Sequence, residues 1–291
     1  MNIRYIKSLS VCVIIVANIA LYVSCFLEGD IYAFLAGKRN TYTEIEMVLI
    51  PAGTFTVGST NTAVTMSGFY LGKYEVTQGQ YQAIMGSNPS YFSSNPMVGE
   101  IQGNRPVETV SWYDAIVFCN RLSMVKGLTP AYSINGSTNP DSWGAVPISN
   151  NSTWNAVQIV SGSTGYRLPT EAQWEYACRA GSISTVMVTT NTGWYSSNSN
   201  GKTHEVGLKN VNGWGLYDML GNVYELCWDW ALGTYPSGTE NPMGSSSGDS
   251  RMNRGGFFDS SNATSANRPT GSPPHRRIQY EGFRLSRPIA E

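Results

Sequence analysis

The sequence predicts an α+β fold with little regular secondary structure, and three observations carry that expectation. Runs of β-branched and aromatic residues between glycines lie near residue 50, three segments open with helix-capping residues, and long stretches of Gly, Ser, Thr, Asn and Pro separate them. With 291 residues, 41% hydrophobic and 12% aromatic, the chain can bury a sizeable core in one or two domains. Only 13% of residues are charged, and 19 Lys and Arg face 20 Asp and Glu. That balance leaves no basic field to attract nucleic acid.

The first segment stands outside the fold. In MNIRYIKSLSVCVIIVANIALYVSC, Arg4 and Lys7 precede an apolar run from about Leu9 to Val23, the pattern of a signal peptide. Its end, LYVSC, resembles the lipobox of bacterial lipoproteins, although Tyr22 is unusual three residues before the cysteine. The resemblance implies a signal over residues 1–25 ending at a lipidated Cys25, a tether over 26–45, and a domain over 46–291 held at the outer membrane or cell surface by acyl chains. A plain signal peptide and an uncleaved anchor helix are the alternatives.

Within the domain, MVLIPAGTFTVGS (Met47 to Ser59) and SGFYLGKYEV (Ser67 to Val76) read as strands. Thr77 and Gln80 form a capping box that opens a helix stopped at Gly86. Ser111 caps the next, with Asp114 in the first turn where the helix dipole favours an anion, and Gly127 stops it. Thr170 and Gln173 form another box, closed by Gly181. Pro169 disfavours helix for Leu168, so Arg167 is held at a strand-to-helix corner. Beyond the signal, Cys119, Cys178 and Cys227 include no CxxC spacing, and with only His204 and His275 the chain is short of zinc ligands. An odd number of thiols argues for buried free cysteines.

Seven pieces in order, MVLIPAGTFTVGS, KYEVTQGQY, NRPVETVSWYDAIVFCNRLS, YRLPTEAQWEYACRAG, NGWGLYDMLGNVYELCWDW, RMNRGGFF and GFRLSRP, resemble the formylglycine-generating-enzyme and sulfatase-modifying-factor family over about residues 46 to 288. The resemblance implies an irregular C-type-lectin-like fold. It also bears on two sites. The family's oxidase uses a cysteine pair after the RGG strand to hold copper, and here Ser260 and Ser265 stand at about those positions. Hydroxyls are hard to ionise and do not bind Cu(I), so no catalytic residue is assigned and the oxidase is expected to be absent. Sulfoxide-synthase relatives need histidine ligands that two histidines cannot supply. The second site is Asp218, Gly221, Val223 and Glu225, which correspond to a calcium site of the enzyme. A tight turn at Gly221 can aim these oxygens at one point, giving a possible structural Ca²⁺. The alternative is a Glu225 that accepts backbone hydrogen bonds in a buried corner. No other cofactor is required.

The C-terminal stretch has its own signature. From Phe257 to Ile278 there is no Lys, Glu, Gln, Met or Trp, the residues that no codon ending in a pyrimidine encodes. Randomising the adenines of AAC codons can yield every residue type found there and none of the five that are missing. This resembles the variable region, here about 251–287, of surface lipoproteins diversified by a retroelement. The implied function is ligand binding through Phe258, Asp259, Ser261, Ala263, Thr264, Pro269, Thr270, Ser272, Pro274, His275, Arg277, Ile278 and Tyr280, all expected to point to solvent. Gln279, Glu281, Gly255, Gly256, Gly282 and Phe283 are expected to be fixed. The partner is an unidentified protein or glycan. Mixed aromatic, basic and small polar side chains suit a recognition face. An enzyme with changed chemistry and a passive loop are the competing readings.

Overall fold

The three predicted helices begin at their predicted caps in a computed structural model that describes residues 41–58, 62–231 and 240–289. In α1 (Gln78–Met85) the Thr77 hydroxyl accepts from the Gln80 amide and the Gln80 side chain accepts from the Thr77 amide, with Gly86 at φ 82° ending the helix. Ser111 and Asp114 cap α2 (Trp112–Val125) in the same reciprocal way. A four-residue α3 (Ser152–Asn155), capped by Asn151, was not anticipated. Thr170 and Gln173 cap α4 (Glu171–Arg179), and its left-handed stop falls on Ala180 at φ 46°, one residue before the predicted glycine. Arg167 sits at the expected corner, its amide on the Ser286 carbonyl at 2.9 Å and its guanidinium on Gln173 at 2.9 Å.

The first predicted strand run forms as two strands, β1 (Met47–Ile50) and β2 (Gly53–Val57), because Pro51 between them offers no N–H to a ladder. β2 forms a hairpin with β3 (Thr62–Met66). β4 (Phe69–Gly72) lies between β1 and the last strand, and a small pair, β5 (Tyr132–Ser133) and β6 (Gln158–Ile159), follows α2 in the chain. From Arg179 to Tyr224 the chain runs without a helix or strand element. β7 (Tyr224–Trp230) then forms the middle of a three-stranded sheet, antiparallel to β8 (Arg251–Arg254) and parallel to β9 (Glu281–Gly282). β9 ends at Gly282, and after Phe283–Leu285 the chain enters β10 (Ser286–Pro288), which joins β4 in another sheet.

Two apolar clusters fill the interior of Ile45–Glu291, which forms one compact unit. One packs Ile116, Phe118 and Leu122 of α2 against Leu226, Phe283 and Leu285. The other packs Trp174 and Ala177 of α4 against Ile50, Phe69, Leu71 and Met252. Cys119, Cys178 and Cys227 are buried and unpaired, and burial pushes each thiol up from its ordinary range. No helix among the described residues is long and apolar enough to cross a membrane.

Candidate ligand-binding face

The register of the central sheet sets the frame of the site. Glu225 on β7 faces Arg254 of β8 on one side and Gly282 of β9 on the other, so residues 255–280 leave one edge strand and return to the other. The RGG motif makes the departure possible. Gly255 and Gly256 have φ of 95° and 78°, and a Cβ on Gly256 would lie 2.6 Å from the Ala263 methyl.

Scaffold groups hold the returning segment by its backbone. Arg254, fully buried, donates to the carbonyls of Ser265 (2.6 Å) and Asn267 (3.0 Å) while its guanidinium is held by Glu175 (2.8 Å) and Glu171 (3.4 Å). The Ser199 hydroxyl donates to the Phe258 carbonyl at 2.6 Å, and the Phe258 amide donates to the Asn222 carbonyl at 2.9 Å. Amides of Ser196, Val188, Tyr113, Thr109 and Tyr224 donate to the carbonyls of Ser260, Ala263, Pro274, Ile278 and Tyr280. Ser272 and Arg251 exchange two backbone hydrogen bonds, at 2.7 and 2.9 Å. None of these backbone contacts depends on which side chain the segment carries.

The side chains divide. Asp259, Ser261 and Thr270 are exposed; Thr264, Pro269, His275, Arg277, Ile278 and Tyr280 are half-buried. Phe258, Ala263, Ser272 and Pro274 are buried, which corrects the expectation that all thirteen point to solvent. The reason is packing: a segment closing over a scaffold must seat some of its own atoms on it. Phe258 lies edge-on to Phe92 at 5.1 Å and Ala263 belongs to the α4 cluster. Arg277 is also engaged, since its guanidinium grips Asp114 of the α2 cap at 2.7 and 2.9 Å. Arg268 does the same to Glu171 at 2.7 and 2.8 Å.

The hydroxyls of Ser260 and Ser265 are both held by backbone amides. The Ser260 hydroxyl accepts from the Phe257 amide at 2.9 Å, and the buried Ser265 hydroxyl accepts from the Val186 amide at 3.0 Å. The sequence reading overlooked a row of rings beside the segment: Phe257 packs on Tyr280 (4.7 Å), Tyr224 (5.3 Å) and Phe258 (5.3 Å). Phe92 and then Tyr91 extend the row. Phe92 sits in a loop far away in the chain, and no periodicity marks it.

The corner proposed for calcium holds an ion pair. Arg284 donates to both Glu225 oxygens, at 2.6 and 2.7 Å, and the Trp174 indole donates to one of them at 2.8 Å. Asp218 accepts from the Gly207 amide at 2.7 Å, and its other oxygen is buried without a partner. Glu225 is neutralised by Arg284 and the indole, and a guanidinium seated there competes with a divalent cation for its oxygens, which weighs against the calcium reading of Asp218, Gly221, Val223 and Glu225. No cluster of three His, Cys, Asp or Glu able to hold a metal occurs among the described residues. A chelator is therefore expected to leave the melting temperature unchanged. A drop of several degrees that Ca²⁺ reverses would restore the metal site.

The sequence missed the third carboxylate of this corner. Glu75 accepts from the Asn222 side chain at 2.8 Å and the Val223 amide at 3.3 Å. Burial, with Asp218 and Glu225 nearby, holds it well above the usual carboxylate range; burial also pushes Asp218 up to about 6.

This arrangement defines the class. The chain belongs to the family of the sulfatase-modifying factor enzyme 1-like domain, whose model matches residues 33–289. Among solved structures it is similar to Treponema denticola variable protein 1, at 39% identity and a TM-score of 0.76, covering 84% of this chain and 95% of that one. Among curated proteins it is 37% identical to the chaperone protein LppX of Paenibacillus barcinonensis, over 76% of this chain and 81% of that protein. It is 29% identical to the formylglycine-generating enzyme of Mus musculus over 73% of this chain, and spans 66% of the mouse enzyme's length.

Proposed function

We propose that this chain is a surface-displayed, lipid-anchored ligand-binding protein whose C-terminal segment, diversified by a retroelement, forms the binding face for a protein or glycan. The observation that carries the reading is the division of labour in residues 255–280. Constant groups hold the backbone at Phe258, Ser260, Ala263, Ser265, Asn267, Ser272, Pro274, Ile278 and Tyr280, while nine of the thirteen codon-reachable side chains are exposed or half-buried. Likeness to a variable protein of Treponema denticola fits the same reading. Oxidase chemistry is not part of it, because Ser260 and Ser265 offer hydroxyls tied to backbone amides. No cofactor is required.

The fold is expected to tolerate rewriting of the open positions. Replacing Asp259, Ser261 and Thr270 together by alanine should move the melting temperature by no more than a few degrees, since exposed substitutions usually cost within about ±0.5 kcal/mol each. Sequencing the locus in independent isolates should show replacements at the nine open positions and none at Arg254, Gly255, Gly256 or Phe283. Unfolding of the triple variant, or replacements spread evenly over both groups, would overturn the reading.

Cys25 lies outside the described residues, and the anchor is tested chemically. Cells given a palmitate analogue should label the parent and not Cys25→Ser. Label retained by the variant would exclude the lipoprotein assignment.

A further inference from the structure

The loop from Tyr91 to Ile101 carries four exposed apolar side chains and meets the C-terminal segment where Phe92 packs on Phe258. Tyr91, Met97, Val98 and Ile101 are 67%, 38%, 107% and 56% exposed. The loop is nonetheless pinned. Glu108 accepts from the amides of Tyr91 (3.0 Å) and Phe92 (2.8 Å), and the side-chain amides of Gln78 and Gln102 both donate to the Phe92 carbonyl. At its far end the Ile101 amide donates to Glu205 at 2.6 Å, and Glu100 meets the His204 ring at 2.7 Å. Apolar groups held open on a fixed backbone are pre-organised for contact, because a partner need not order them.

The loop is continuous with the segment. The rings of Tyr91, Phe92, Phe258, Phe257 and Tyr280 follow one another at 4.7 to 5.3 Å between centroids. The Thr109 amide, next to the Glu108 that holds the loop, donates to the Ile278 carbonyl at 3.1 Å. Size gives a further argument: a specific interface takes roughly 20–30 residues a side, and nine open side chains fall well short. The loop enlarges the face by four exposed apolar side chains. Its chemistry also selects the partner class. Met97, Val98 and Ile101 have no group that can bond a hydroxyl, so they gain nothing from a sugar's rim, whereas burial against an apolar protein surface rewards them directly. Aromatic residues and Met are the types enriched where proteins meet.

We infer that the Tyr91–Ile101 loop is a constant half of the binding face and that the ligand is a protein presenting an apolar patch. The inference rests on the reading of the C-terminal segment as a binding face and narrows its ligand to a protein. The loop contributes affinity that does not change with the segment's sequence, and the segment selects among partners.

The test uses the full chain in detergent micelles and a phage-displayed library of random dodecapeptides, with a glycan array in parallel. Peptides rich in aromatic and aliphatic residues should be enriched. Their affinity should fall at least tenfold for the double variant Val98→Ser/Ile101→Ser, whose melting temperature should match the parent's. Affinity lost only in the Asp259/Ser261/Thr270 alanine variant would overturn the loop's role and leave the binding face standing. Affinity lost in neither variant would remove both. Enrichment of glycans alone, or of no peptide, would overturn the protein partner. A dimer in sedimentation that Val98→Ser/Ile101→Ser dissolves would show that a second copy covers the loop, and would also overturn it.

Discussion

Replacing Arg284 by Met is expected to be among the most damaging single substitutions in the molecule, with a loss of roughly 3–5 kcal/mol at neutral pH. Arg284 is fully buried and donates to both oxygens of Glu225 and to the carbonyls of Gly72 and Tyr217. Its removal leaves Glu75, Asp218 and Glu225 buried with no cation among the groups that hold them. Carboxyls whose folded pKa is raised above the unfolded value, about 4, contribute stability that is present below that value and lost as pH rises through the folded pKa. Asp218, pushed up to about 6, and Glu75, also raised, already behave this way in the parent. In the variant both also lose the Arg284 charge that holds their pKa down. The gap in melting temperature between parent and variant should therefore be widest near pH 8 and shrink towards pH 4 to 5. A gap that stays constant with pH would mean that lost packing, rather than uncompensated charge, accounts for the damage.

Arg254→Ala is expected to cost ~2–6 kcal/mol, at ~1–3 kcal/mol for each buried carbonyl left without its donor, or about 10 °C at the 2–4 °C per kcal/mol of a domain this size. Glu175 keeps Arg179 as a partner at 2.6 Å and Glu171 keeps Arg268, but the carbonyls of Ser265 and Asn267 lose their donor. The effect should also be local. Hydrogen exchange at the amides of residues 263–268 should accelerate more than in α2. Arg254→Lys preserves the charge without the planar fork and should fall between the two. Uniform acceleration across the domain would show that Arg254 is only a core residue and not the clasp of the segment.

The helices were legible because their signals are local: Thr77 with Gln80, Ser111 with Asp114 and Thr170 with Gln173 are each three residues apart, and each forms the box it spells. Strands of two to four residues, such as β5, β8 and β9, are too short to show a period, so the central sheet was visible only through the family's motifs. The Gly221 turn was readable, but the partners it aims at were not. Glu75 and Arg284 are separated by most of the domain and meet Glu225 only in the folded chain. The burial of Phe258, Ala263, Ser272 and Pro274 was hidden for another reason: a codon rule describes what DNA can write and says nothing about which atoms reach solvent. Tyr91 and Phe92 carried no mark at all, since their relation to Phe257 and Phe258 is entirely tertiary.

The spacing of the clasped carbonyls sets a limit on how the segment can change. Val188, Arg254, Tyr113, Thr109 and Tyr224 grip residues 263, 265, 267, 274, 278 and 280 at fixed intervals, and both ends are locked in register on either side of Glu225. In a free loop an added residue would cost little, because closure entropy grows only with the logarithm of length. Here one insertion early in the segment would throw every later grip out of step, leaving buried amides facing the wrong atoms. Variation by replacement is compatible with this architecture and variation by lengthening is not. On the proposed reading, the repertoire would therefore consist of different textures on a surface of constant outline, and partners would be distinguished by chemistry at set points, with no deeper pocket or longer finger to reach for them.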